Sequence, residues 1–584
     1  MASRAKPRRR WAGLLAVAFM AGACTPVANP SPSSPAATST GPAASTGTAA
    51  SESPSASTTT GSVLLAVPPT KNGGTLSIAF NSDIQYFDPA KGYDVVSWPA
   101  ERLIYEQLLQ YDTGTKLVPL LADGMPTVSS DGKTYTFKLH TGVKFIKPDG
   151  SVLREMTADD VVASINRVLD PKLKPSASPG SGFFGNIVGA ADVLAGKATT
   201  ASGIRKIDAT TVEFHLNQAD ATFANVMATP FASVLPKETP HDAAQVAAAP
   251  VGSGPYYLKS YTKGTQATFA ANKSYWQPGQ PYTDEIDFKV GVDDNAAIQQ
   301  IEAGQLDLLG DPLPSGSFTQ ITTDPQYQDQ LVTHTLVDTD YLFMDTQQPD
   351  NGPLSKPAVR QALEYAIDKD NILKLVHGAG VRAECIYPPD LPGYDAACHP
   401  YKFDQAKAKQ MLADAGYPNG FESHLFTDTT DPDPQIAQAL QQDLAAVGVK
   451  VDITTEEFAT FLDRIETPHK APMGYVGWFQ DYPDPSDFID PILSCATAVQ
   501  GGANAALYCN KDVDAKAAAA KGETDAAKRL QEYQAIQTQI MSEAPWVPIR
   551  HQVWFTLVSK RVGSYQLHPV WNNDLRNVSL KAGS

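Results

Sequence analysis

Residues 131–140 open with the turn pair Asp131-Gly132 and then alternate strictly. Tyr135, Phe137 and Leu139 fall on one face, and Thr134, Thr136, Lys138 and His140 on the other. A two-residue period after a turn signal predicts a hairpin strand with one buried side. Asp208-Ala209-Thr210-Thr211 followed by Val212, Phe214 and Leu216 repeats that logic. Farther along, the period changes. Val359, Ala362, Leu363, Ala366 and Ile367 make one apolar helix face, and Asp368 is placed to cap a second helix from Lys369 to His377. Ile436, Leu440, Leu444 and Val447 form another stripe. Gly448 ends it, and Val449 to Ile453 alternates as a strand. The pattern is α/β, strand-rich in its first half and interleaved in its second, with no tandem repeat.

Size and charge narrow the class. At 584 residues the chain exceeds what one hydrophobic core supports, roughly 250–300 residues. A formal charge of −17 argues against general nucleic-acid binding, which needs basic groups to displace phosphate counterions. Arg4, Lys6, Arg8, Arg9 and Arg10 precede an apolar run from Trp11 to Ala23, which is shorter than a membrane span. That is the layout of a signal peptide over 1–23; the arginines also admit twin-arginine export. Ala21-Gly22-Ala23-Cys24 resembles a lipobox, with Ala21 where a leucine-like residue is usual, so Cys24 is expected to become lipidated. The alternative is an ordinary secretory cleavage site beside an incidental cysteine. From Thr25 to about Thr70 the chain is Ser, Thr, Ala, Pro and Gly with Glu52 as its charge. Such a segment cannot bury enough apolar surface to fold and reads as a spacer over 24–71.

Cys385, Cys398, Cys495 and Cys509 remain, in a chain bound for an oxidising compartment, with three pairings open. The local pairing would close two short loops worth ~3 kcal/mol each. Zinc is disfavoured because no C-x-x-C occurs.

Motifs for covalent chemistry dissolve on inspection. Ser130-Asp131-Gly132-Lys133 matches S-x-x-K, yet the serine sits in a turn and no S-D-N or K-T-G partner exists. Gly252-Ser253-Gly254-Pro255-Tyr256-Tyr257 lacks the lysine of a phosphate loop and reads as a tight turn into a strand. Gly477-Trp478-Phe479-Gln480-Asp481-Tyr482-Pro483-Asp484-Pro485 differs, because it puts a large aromatic and a carboxylate on rigid backbone. Asp481, Asp484, Asp487 and Asp490 recur at threes, whereas calcium loops place acids at twos.

These residues, read in order, resemble the dipeptide/oligopeptide/nickel-binding family of solute-binding proteins that serve ABC importers. The likeness runs through Gly73-Gly74-Thr75-Leu76, Phe87-Asp88-Pro89, Leu117-Val118-Pro119, Asp131 to Leu139, Gly142 to Phe145 and Thr157 to Val162. It continues through Gly252 to Tyr256, Asn272 to Trp276, Ala303 to Asp307, Val359 to Leu363, Ala366-Ile367-Asp368 and Ala413 to Pro418. The resemblance implies a two-lobed α/β fold of the periplasmic-binding-protein type II class, with an additional domain on the first lobe and hinge strands between lobes. Expected divisions are 72–115 for lobe I, 116–229 for the additional domain and 230–332 for the rest of lobe I. Lobe II would take 333–549, and 550–584 would return to lobe I.

By the same resemblance, Asp481 binds a peptide's α-ammonium beside Trp478, and Gly477 to Phe479 offer backbone to the peptide. Tyr93, Asp94 and Val95 supply the opposing edge. A protein accepting varied peptides must read what all peptides share, and strand-like pairing does so. In oligopeptide binders an arginine sits where Tyr475 stands here, and Asp345-Thr346 replaces the family's Asn-Thr. The implied partners are a peptide, an ABC permease with its ATPase subunits, and the outer face of the cell membrane through lipid on Cys24. No cofactor, metal, nucleic acid, covalent chemistry or oligomer is expected. A nickel chelate, an oligosaccharide or an opine-like solute, or peptide sensing without transport, are the alternatives.

Overall fold

Two β-sheets of different make-up organise the chain. In the computed structural model the described residues are Lys71 and 73–583; the expected signal peptide, the expected lipidation at Cys24 and the expected spacer up to residue 70 lie outside them. The described residues fall in one compact unit.

The first sheet has five strands in the order Tyr256–Thr262, Gln266–Ala271, Glu285–Val290, Thr75–Phe80, Leu308–Leu309. Its entry turn explains two glycines. A Cβ on Gly252 would stand 2.0 Å from the Ile104 carbonyl oxygen, and one on Gly254 2.4 Å from that of Leu103. Close backbone approach is what this glycine-rich turn provides.

The second sheet runs Leu331–Thr335, Trp546–Leu557, Asp338–Met344, Met473–Phe479, Glu422–Asp428, Lys450–Glu456, with Gly380–Arg382 also paired to Trp546–Leu557. Its predicted flanking helices are present. Pro357–Ala366 buries Val359, Ala362, Leu363 and Ala366, and the side chain of Asp368 accepts from the Asn371 amide to cap Lys369–Leu375. That helix ends two residues before the expected His377, because His377 and Gly378 take positive φ and turn the chain out. The helix Asp433–Ala446 ends at Val447, with Gly448 at φ +92°. The strand after it runs to Glu456, three residues beyond the alternating stretch.

A third, four-stranded sheet holds both predicted hairpins: Thr127–Val128, Thr134–Lys138, Thr211–His215, Ile204–Asp208. Tyr135, Phe137, Val212 and Phe214 are buried in its core, and Ser130 lies in the turn as expected. The capping box of Thr157 and Asp160 starts the helix Ala158–Leu169 beside it.

One strand passes from one core to another. Trp546–Leu557 begins with Val547 and Ile549 in the core beneath the second sheet, while Trp554 and the following Val558 lie in the core of the first sheet. The C-terminal hairpin, Val562–His568 with Asn572–Leu580, joins that first core through Tyr565, Leu567, Leu575 and Val578. The cysteines form the local pairs, Cys385–Cys398 and Cys495–Cys509. No helix among the described residues is long and apolar enough to cross a membrane.

Candidate functional site

Met473–Phe479 pairs antiparallel with Asp338–Met344 along its whole length. On its other edge it meets Glu422–Asp428 only at Met473 and Gly474. Residues 475–479 therefore carry a strand edge with no neighbouring strand among the described residues, and Gly477 is exposed. An unpaired edge is a template for an added strand. Gly477 is required by its partner strand: a Cβ there would stand 2.2 Å from Asp340 Oδ1.

The chain turns immediately after this edge, and Asp487 shapes the turn. Its Oδ2 accepts from the Asp481 amide at 2.8 Å and from Trp478 Nε1 at 3.3 Å. One buried carboxylate thus fixes both residues singled out in the sequence. The other acids of the series diverge. Asp484 takes a bidentate pair from Arg529, at 2.7 Å on each side, and Asp490 accepts from Lys521 at 2.8 Å. Among the described residues no cluster of acids, histidines and cysteines could hold a metal ion.

Asp481 is 6% exposed, and its Oδ1 accepts from the Tyr93 hydroxyl at 2.5 Å, across 388 residues of sequence. Burial raises its carboxyl to about 6, opposed by the Tyr93 hydrogen bond, which favours the ionised form. Burial also pushes the Tyr93 hydroxyl up, and the charge of Asp481 adds to that. Tyr93 as a residue is 48% exposed, although its hydroxyl reaches the buried Asp481. Its ring packs on Trp98 and Phe231 at centroid distances of 5.7 and 5.4 Å. Asp94 Oδ1 accepts from the Val96 and Ser97 amides and turns the chain into the helix Ser97–Ile104. Tyr93 to Val95 is consequently a turn, not an extended edge.

These two segments face each other across a cavity of about 650 Å³, within the range of small-molecule sites. Gly477, Trp478, Phe479, Asp481, Tyr93, Asp94 and Val95 all line it. Local sequence reading missed Asp338, Asp340, Asp428 and Asp433, which line it as well, and Phe458, 52% exposed on its wall. Asp338 and Asp340 lie in a strand buried at every position, so no alternation marked them. Tyr475 lies behind the wall, its hydroxyl donating to Asp340 Oδ2 at 3.1 Å. No lysine, arginine or histidine is among the lining residues. Asp345 sits elsewhere, 3.0 Å from His469 Nδ1, and Thr346 bonds to the 506–507 backbone.

A half-open cavity between the free edge of the second sheet and the segment that leads into the helix Ser97–Ile104, with one strand passing from one core to the other, is an architecture that can close over a solute. Residues 116–500 match the model for the bacterial extracellular solute-binding proteins, family 5 (middle region). The dipeptide-binding protein of Escherichia coli K12 is 32% identical over 520 residues, covering 85% of this chain and 92% of its own. Heme-binding protein A of Haemophilus influenzae is 30% identical over 510 residues, covering 85% and 90%. A Helicobacter pylori periplasmic binding protein in complex with the peptide STSA superposes with a TM-score of 0.72 at 27% identity, covering 87% of this chain and 98% of that one. The chain belongs to the bacterial extracellular solute-binding proteins of family 5. Its fold is the two-lobed α/β fold of periplasmic binding proteins.

Proposed function

We propose that this protein captures peptides outside the cell and hands them to an ABC permease, held to the outer face of the membrane by lipid on Cys24. It acts by binding and release, without covalent chemistry. The lobe divisions stated above are part of this reading, with Leu331–Thr335 and Trp546–Leu557 as the hinge strands.

One observation carries the proposal: a buried carboxylate stands at the end of an unpaired strand edge on the wall of a cavity. An extended peptide offers a charged ammonium followed by a regular series of N–H and C=O groups. Asp481 answers the first, and the backbone of Gly477 to Phe479 answers the second without regard to side chains. Tyr93 closes over the carboxylate from the opposite segment, and Trp478 and Val95 bound the peptide's flanks. The relatives that are named dipeptide-binding proteins and the complex with STSA point the same way.

Calorimetry with Ala-Ala-Ala and its N-acetylated form tests this. The free amine is expected to bind far more tightly, and Asp481→Asn to collapse that ratio by ~3–5 kcal/mol, the cost of removing one partner of a desolvated pair. Equal losses for both peptides would refute the role given to Asp481.

A further inference from the structure

The cavity is lined by more carboxyl groups than one ammonium uses. Asp338, Asp340, Asp428 and Asp433 line it together. Asp340 is satisfied, accepting from Arg550 Nε at 2.7 Å, Tyr475 at 3.1 Å and Gln552 Nε2 at 3.1 Å. Asp428 Oδ1 accepts from the Thr430 amide, and Asp433 lies in the first turn of its helix, where the helix dipole favours a negative charge. Arg550 is the one cation bonded to this group among the described residues, and it approaches from behind the wall.

Asp338 adds a separate observation. It is 1% exposed, its Oδ1 accepts from the Gln552 amide at 2.8 Å, and its Oδ2 has no hydrogen-bond partner. A buried carboxylate oxygen left unpaired is costly, so the wall is built for a donor that the chain itself does not supply. Gln480 Oε1 and Asn572 Oδ1, also on this cavity, are likewise buried and unpaired. Mutual repulsion has the same origin: burial and the neighbouring Asp340 push the Asp338 carboxyl well up, and burial with Asp340 and Asp428 does so for Asp433.

We infer that Asp338, Asp428 and Asp433 form a second cation subsite, which takes the side-chain ammonium or guanidinium of a peptide whose amino terminus is held at Asp481. This rests on the peptide reading above and names the class of peptide: basic ones. Register sets the spacing. Asp340 lies opposite Gly477 and Asp338 opposite Phe479. Gly477 is four residues from Asp481, at most ~14 Å of chain. The cationic side chain therefore belongs to one of the first three peptide residues. A free C-terminal carboxylate meets no cation on the lining, which adds to the preference for positive over negative cargo.

Titration calorimetry of the purified protein with Ala-Ala-Ala, Ala-Lys-Ala, Ala-Ala-Lys and Ala-Glu-Ala tests the subsite. At least one lysine peptide is expected to bind about ten- to a hundredfold tighter than Ala-Ala-Ala, the range of a charge-assisted hydrogen bond, and Ala-Glu-Ala to bind more weakly. Asp433→Asn and Asp428→Asn should each bring the lysine-to-alanine ratio toward one. If lysine and alanine peptides bind equally, and Asp481→Asn weakens both, the peptide reading stands and the second subsite is wrong. If no peptide in the series binds, both fall.

Discussion

Asp481 is shaped by three neighbours of different kinds: an amide bonded to Asp487, a hydroxyl from Tyr93 and a surrounding that excludes water. The last dominates its proton affinity and holds the carboxyl at about 6, above its unfolded value of about 3.9. Two opposite pH slopes result. The empty protein gains stability on acidification, because a folded-state value above the unfolded one favours the protonated fold; that contribution is lost as pH rises through about 6. Binding of a free-amine peptide runs the other way, since the ammonium needs the ionised form. Affinity should therefore fall between about pH 7 and pH 5, and Asp481→Asn should flatten both slopes. Melting and calorimetry across that range check the pair; a wild-type affinity that is flat there contradicts it. The motif itself was legible, since a tryptophan and an acid on rigid backbone stand out in any polar stretch. The job of Asp487 was not, because its two donors converge only once the turn after Phe479 has formed. Nor was the contact of Tyr93 with Asp481, which no local spacing encodes.

At the scale of elements, the strand Met473–Phe479 serves two masters. One edge must pair completely with Asp338–Met344, and the other must stay open. Gly477 reconciles them by leaving room for the Asp340 carboxylate, which cannot retreat because Arg550, Tyr475 and Gln552 hold it. Gly477→Val should therefore lower stability by about 1–3 kcal/mol, as overpacking does elsewhere, and denaturant melts would show it. A variant as stable as the parent would mean that the carboxylate moves freely. Hairpins and amphipathic helices were readable here because their periods are local. Asp338–Met344 was not: a strand covered on both faces has no polar side to betray it, and its aspartates look like loop residues. The three candidate pairings of the four cysteines were likewise undecidable from spacing, and the fold selects the local pair in each case.

For the whole molecule, the division of labour follows from where the cores lie. The strand Trp546–Leu557 is anchored in different cores at its two ends, so relative movement of the lobes turns on a few residues of a continuous chain. A ligand drives closure only by binding the closed form better than the open one. On the proposed reading, Tyr93 and Asp481, which already bond across the two segments, are where a peptide ammonium would add to that difference. The two-lobed plan with an added domain was expected through the family resemblance that the turns, hairpins and caps carry. The acidity of the cavity lining was not, for it is assembled from two stretches of chain, 338–340 and 428–433, that lie far apart in sequence. The most direct test is a crystal structure with a bound lysine-containing tripeptide. The account predicts the peptide nitrogen within hydrogen-bond reach of Asp481, its backbone paired along residues 477–479, and its lysine among Asp338, Asp428 and Asp433. A peptide lying reversed, with its carboxylate at Asp481, or seated outside this cavity, would contradict it.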